Sequence, residues 1–312
     1  MKTNYGHNAR LTATFLCLIV SQAVVGDLIG FPHQDTQRKI VSDDFTKNRL
    51  EAMASQPDRK PTKVVTRPKP RRTYRLVSTP LIKVQRSSAA NNIAQLGITI
   101  WKLRQANAFD SGRRTLLREK GTSLSWVAER VESNTMLRQG DYVRISVEAP
   151  RAGYLYVIDR DLYADGTTGA AMLIYPWSDV DNQLRPGRLI DIPAQEGVPN
   201  YFTARLTAAN QIGELLTFIV TSAPLDLPVA DKPFEIATGQ LREWETMWAG
   251  VSERFEMNGG AGEPWTPEEQ QAAAKNGTRQ LTRDDPPPQT IYVLAGKTMD
   301  AFLFNLKLSY AR

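Results

Sequence analysis

Apolar and polar positions alternate in short runs along most of this chain. Runs at 97–103, 126–131, 141–148, 153–159, 171–176, 189–193, 201–206 and 215–221 carry strand-forming residues and are bounded by Gly, Pro, Asn or Asp. In 142–148, Val143, Ile145 and Val147 alternate with Arg144, Ser146 and Glu148, which predicts one buried face and one wet face. The runs 154–158 and 215–220 are apolar at successive positions, as central strands covered on both sides would be. Turn chemistry such as Asp165-Gly166 and Pro186-Gly187 joins the runs. Short strands at this spacing predict a mainly β fold, an antiparallel β-sandwich of immunoglobulin-like or jelly-roll-like kind, rather than alternating βαβ units.

Helical periodicity enters late. Leu241, Trp244, Trp248, Val251 and Phe255 fall on one face at helical spacing and predict one amphipathic helix laid on the sheet. Thr266-Pro267-Glu268-Glu269 reads as a capping box with Pro at the first helical position, and Asn276-Gly277 closes a second, short helix. Pro286-Pro287-Pro288 is a rigid stop, after which 290–294 and 302–310 read as a closing hairpin. The two helices are expected near the C-terminus of a single β-rich domain over 91–312.

The first residues read differently. Lys2 and Arg10 precede an apolar run at 11–20, the layout of a secretory signal peptide over 1–26, with small residues that allow cleavage after Ala23 or after Gly26. An apolar run of about ten residues is shorter than the roughly 20 that a membrane-crossing helix needs. Cys17 follows Phe15 and Leu16, where a lipoprotein signal would carry small residues, and belongs to the removed segment. The expected location is therefore exported, periplasmic or extracellular. The mature chain would hold no cysteine and so no disulfide.

Charge divides the remainder. Residues 27–90 carry 14 Lys and Arg against 6 Asp and Glu, whereas 91–312 carry 23 against 27, so the overall formal charge of +6 comes from the N-terminal part. With Arg59-Lys60-Pro61 and 67–72, residues 27–90 read as a basic, Pro-containing, disordered linker, within which 74–84 offers a first strand or an extended segment. A basic linker allows peripheral contact with an anionic surface, and the acidic remainder argues against nucleic acid as a partner.

One ordered motif set stands out: Gly140-Asp141-Tyr142-Val143-Arg144, Gly153-Tyr154-Leu155-Tyr156-Val157, an acidic turn over 159–166, Leu173-Ile174-Tyr175-Pro176, Asn182, Pro186-Gly187 and Ile192-Pro193. Across 138–224 it resembles the bacterial domain-of-unknown-function family 4384, whose members are attached to exported or envelope proteins and sometimes to caspase-like peptidases. The resemblance implies a small β-rich domain and carries over no catalytic residue.

Candidate chemistry is sparse. The only histidines are His7 and His33, so 91–312 lacks both His and Cys, and neither nucleophilic triads nor imidazole or thiolate zinc sites can be built there. No Ser-x-x-Lys occurs. Ala295-Gly296-Lys297-Thr298 imitates the end of a phosphate loop, but Ile291 stands where the first glycine belongs, and the stretch reads as a turn. Gly259-Gly260-Ala261-Gly262 reads as a loop. Asp159, Asp161 and Asp165 place three carboxylates before Gly166, a weak calcium candidate that a polar hairpin tip also explains. Tyr163 and Trp177 could add an aromatic platform beside them, while core packing accounts for Tyr175.

These features predict a non-enzymatic exported envelope protein, a structural or protein-interaction module without a cofactor, whose partner is an envelope protein or cell-wall polymer. A carbohydrate- or peptidoglycan-binding module using Asp159, Asp161, Tyr163, Asp165 and Trp177 is the alternative. A carboxylate-based hydrolase is a weaker one, because no pair among the acids is singled out.

Overall fold

A computed structural model describes residues 33–54, 93–107, 126–176, 180–193, 201–228, 230, 232–257, 259–264, 278–281, 285–295 and 300–311. In chain order the elements begin with α1 (His33–Ala54), β1 (Ile93–Gln105), β2 (Trp126–Val131), β3 (Met136–Arg138), β4 (Tyr142–Glu148) and β5 (Gly153–Tyr163). They continue with β6 (Met172–Tyr175), β7 (Gln183–Leu184), β8 (Arg188–Ile192), β9 (Phe202–Thr203), β10 (Gln211–Thr221) and β11 (Phe234–Glu235). The last are α2 (Thr238–Trp248), β12 (Val251–Glu256), β13 (Thr278–Gln280), β14 (Thr290–Ala295) and β15 (Ala301–Ala311).

Two sheets form a β-sandwich. The eight-stranded sheet runs β12-β14-β1-β4-β8-β13, with β2 also on β1 and β9 also on β4. The seven-stranded sheet runs β11-β6-β5-β10-β15-β3, with β7 also on β5. Among the strands described, pairing is antiparallel except where β3 lies parallel to β15. The long β1 pairs with β14 through its first half and β2 through its second, while β4 lies along its other edge.

The expected period-two pattern builds the core. Leu96, Ile98 and Ile100 of β1 and Val143, Ile145 and Val147 of β4 meet Leu155, Val157, Leu216, Phe218, Phe304 and Leu306 of the opposite sheet. Phe218 and Phe304 stack with ring centroids 5.3 Å apart. The other parity of the seven-stranded sheet is apolar too: Tyr156, Ile158, Ile219 and Leu303 pack under Leu241 and Trp244 of α2. Covering on both sides is what the doubly apolar runs of β5 and β10 anticipate. Arg160 secures α2 by donating to Glu245 and to Thr217 Oγ1, each at 2.9 Å.

The structure corrects four expectations. The outer face of β4 is dry: Arg144, Ser146 and Glu148 are all buried. Polar residues can alternate with apolar ones in a covered strand when each finds a partner. Here Trp101 Nε1 donates to Ser146 Oγ at 2.7 Å, Ser146 Oγ in turn donates to Asp191, and Arg144 lies 3.8 Å from Asp191. Arg130 covers the Trp101 ring at 5.1 Å.

Second, the helix that starts in this region ends at Trp248, and Val251–Glu256 is a strand on β14. Ala249 takes an extended backbone there, and Val251 is solvent-exposed rather than part of the apolar stripe. Third, β14 and β15 are not a hairpin, because each pairs within a different sheet. Fourth, part of the expected disordered linker is helical: α1 packs on the outer face of the eight-stranded sheet through Phe45 and Arg49. Ile40, Val41, Phe45 and Leu50 do not make a broad apolar face, so helical periodicity is weak in this stretch.

The signal segment, the rest of the linker including 74–84, and the short helix expected over 266–277 lie outside the described residues. Among the described residues no helix is long and apolar enough to cross a membrane.

Candidate functional site

The inward positions of β5 change character along the strand, from Leu155 and Val157 to Asp159 and Asp161. β10 does the same beside it: Leu216 lies opposite Asp159 and Glu214 opposite Asp161 in the antiparallel register. On β15 the inward series Phe304, Leu306 and Leu308 ends in Tyr310. The sandwich therefore has one end where the inner face of the seven-stranded sheet is acidic.

A cavity of about 170 Å³ lies there. Leu137, Val143, Ile174, Phe202, Leu216 and Leu308 give it apolar walls, and Asp159, Glu214, Tyr310 and Thr203 supply its polar groups. Apolar walls with a few convergent polar groups are the usual make-up of a ligand site.

Its electrostatics are unusual. Burial, then the neighbouring Glu214 and Asp161, push the Asp159 carboxyl up to about 8 against one opposing backbone N–H from Arg160. Asp159 is thus a neutral acid at pH 7, and among the described residues nothing hydrogen-bonds its buried Oδ1. Burial also raises Glu214, partly offset by the hydroxyl that Tyr310 donates to it. Burial and the Glu214 charge together hold the Tyr310 phenol protonated well above its ordinary range. Among the described residues no guanidinium or ammonium is one of the groups that set the titration of Asp159 or Glu214, so both depart in the direction that desolvation and like charge dictate.

Asp161 sits on the rim and is engaged. Gln211 Nε2 donates to its Oδ1 at 2.7 Å and Thr207 Oγ1 to its Oδ2 at 3.2 Å. Gln211 is fully buried and its Oε1 accepts from Thr207 N–H at 2.6 Å, so the loop before β10 is tied across this end. The pairing of β10 with β5 bulges between Gln211 and Gly213, and at Gly213 β10 also pairs with Ser309 of β15. A Cβ at position 213 would collide with the Leu308 carbonyl oxygen, so only glycine permits that approach.

The acidic turn is held by its own hydrogen bonds. Asp165 is fully exposed and caps its own turn, accepting from Thr167 N–H at 3.0 Å and Thr167 Oγ1 at 2.7 Å, which holds it below the usual carboxylate range. Among the described residues no group of three or more His, Cys, Asp or Glu is arranged to hold a metal ion. Of the expected site residues, the fold brings Asp159 into the cavity and Asp161 to its rim. Tyr163 stays beside Asp161 with its hydroxyl 3.5 Å from Oδ2, Asp165 turns to solvent, and Trp177 lies outside the described residues. Tyr175 is core, its hydroxyl donating to the Asp181 carbonyl at 3.2 Å.

Glu214 and Tyr310 are the cavity groups that motif reading misses. Strand parity is the signal that finds them: extending β10 by one inward step from Leu216 reaches Glu214, and the same step on β15 reaches Tyr310. No family model, curated protein or solved structure matches this chain.

Proposed function

We propose that this chain is an exported, non-enzymatic interaction module of the cell envelope, and that the cavity at the end of its sandwich receives one side chain or similar head group of an envelope partner. The observation that carries the reading is Asp159, a part-buried carboxyl raised to about 8 whose buried Oδ1 has no hydrogen-bond partner among the described residues. Such a group destabilises the fold at neutral pH and is retained where a ligand uses it. The complementary ligand has an apolar stem and a cationic head, as a lysine-like side chain does. An ammonium entering the cavity favours the ionised forms of Asp159 and Glu214, so binding releases a proton.

The signal-like N-terminus and the family resemblance support the envelope setting. Volume argues against a hydrolase, since about 170 Å³ suits a single side chain better than two sugar units flanking a bond between carboxylates. A glycan site on the 159–177 turn is less well supported, because Asp161 and Asp165 already accept hydrogen bonds from neighbouring protein groups.

A photo-crosslinking residue at Thr203, which lines the cavity, tests this in intact envelopes. One dominant adduct, abolished when Ala204→Leu fills the cavity, is the expected result. Labelling no stronger than from a probe at the exposed Glu253 would overturn the reading.

A further inference from the structure

On the opposite side of the eight-stranded sheet from the cavity, two side chains hold α1 down. Among its described side chains only Phe45 and Arg49, one helical turn apart, are buried, and Ile40 is 56% exposed. The sheet is shaped for both. A Cβ on Gly97 of β1 would stand 2.9 Å from Phe45 Cζ and 2.5 Å from Pro288 Cγ, so glycine opens the slot that the ring fills. Arg49 Nη1 donates to Glu148 Oε2 at 3.2 Å and Nη2 to the Asp285 carbonyl at 3.0 Å.

The receiving groups are held without help from α1. Glu148 is the last residue of β4, paired with Gly97 of β1 on one side and Leu189 of β8 on the other, and the Asp285 carboxylate is fixed by Arg279 at 2.6 Å. The site therefore requires an aromatic residue and an arginine four positions later on one helix, a two-point side-chain recognition. None of these contacts depends on covalent continuity. Thirty-eight residues, 55–92, separate α1 from β1, a contour of up to about 135 Å.

We propose that α1 is an exchangeable ligand of this fold, and that the notch of Gly97, Glu148, Asp285 and Pro288 accepts α1 from a second copy of the chain. The connecting segment keeps a chain's own helix at an effective concentration on the order of millimolar, so the monomer dominates in dilute solution and exchange grows where copies are crowded. Reciprocal exchange closes a two-fold dimer, whereas one-way exchange extends into chains.

Complementation between two full-length variants tests the proposal. Gly97→Ala closes the notch but keeps an intact helix, and Phe45→Ala/Arg49→Ala keeps an open notch with a helix that cannot fill it. Each alone should be monomeric by sedimentation and native mass spectrometry, and mixing them at about 100 μM, well below the effective concentration in one chain, should give a 1:1 heterodimer. Adding Arg49→Lys to the helix donor should lower heterodimer yield about tenfold, because an ammonium does not reproduce the guanidinium fork to Glu148 and Asp285. Two variants with wild-type circular dichroism that stay monomeric on mixing overturn the proposal, as does a heterodimer formed equally well when both chains carry Phe45→Ala/Arg49→Ala. Should Gly97→Ala not fold, wild-type chain with a protease site inserted within 55–92 decides the matter. After cleavage, uptake of a fluorescein-labelled 33–54 peptide supports exchange, and failure to take it up overturns it.

Discussion

Two desolvated carboxylate sites in this molecule, one buried and one part-buried, meet the same problem in opposite ways. Glu148, on the outer face of the eight-stranded sheet, is wholly buried and its carboxyl is raised by desolvation, yet Arg49 of α1 lies against it at 3.2 Å. Asp159 and Glu214, at the inner end of the other sheet, are raised by desolvation and by neighbouring acids, Glu214 and Asp161 acting on Asp159 and Asp161 on Glu214, and what they have is a phenol and a backbone N–H. One site is an ion pair that fastens a helix. The other is a pair of acids whose titrations are both raised, beside open volume. Burial of an acid therefore does not by itself mark function; desolvation with no compensating cation among the described residues, next to a cavity, is what makes the second site the candidate.

The largest expected effect is at the fastened site. Arg49→Ala should weaken α1 docking by about 3 kcal/mol, since it removes the guanidinium from a buried carboxylate. Amide hydrogen exchange should show 33–54 losing protection while β4 and β5 keep theirs. If protection of α1 survives, the ion pair is not what holds the helix.

At the cavity the sign reverses. Asp159 titrates near 4 in an unfolded chain and near 8 in the fold, so between those values the folded state keeps a proton that the unfolded chain has lost. Its contribution to stability is complete below about pH 4 and is lost as pH rises towards 8; Glu214, also raised, acts in the same direction. Asp159→Asn should accordingly stabilise the protein by about 2 kcal/mol at pH 8 and by almost nothing at pH 4. Urea unfolding at the two pH values measures this, and destabilisation at pH 8 would mean that the carboxylate has a partner.

Smaller effects sharpen the contrast. Tyr310→Phe removes the hydroxyl that Glu214 accepts and should cost about 1 kcal/mol at neutral pH, with the Glu214 titration moving further up. Asp165→Ala, at an exposed turn outside the cavity, should leave both the thermal midpoint and the Thr203 crosslink unchanged. A lost crosslink would return the ligand site to the acidic turn.

Period two made the strands visible beforehand because most of them bury at least one face: Val143, Ile145 and Val147, and Phe304, Leu306 and Leu308, announce themselves. The short strands β7, β11 and β13 escaped, having only two or three residues over which to show any period. β12 escaped because Val251 and Phe255 fit helical spacing as readily as strand spacing. α1 escaped because two side chains hold it. Half of the candidate site was visible as an acidic run, but its attribution to the turn was incomplete. Proximity in sequence grouped Asp159 with Asp165, whereas pairing of β5 with β10 and of β10 with β15 groups it with Glu214 and Tyr310. That grouping is a property of register, which an isolated motif does not contain.

The measurement that bears most directly on this account is the carboxyl titration of Asp159 in the intact chain, followed by the ¹³C shift of its side-chain carbon and assigned with Asp159→Asn. The expected midpoint lies near 8 and falls when an alkylammonium probe such as n-butylammonium is added. A midpoint near 4, unmoved by that probe, would mean that the acid is solvated or already paired and would contradict a cation-accepting cavity at this end of the sandwich.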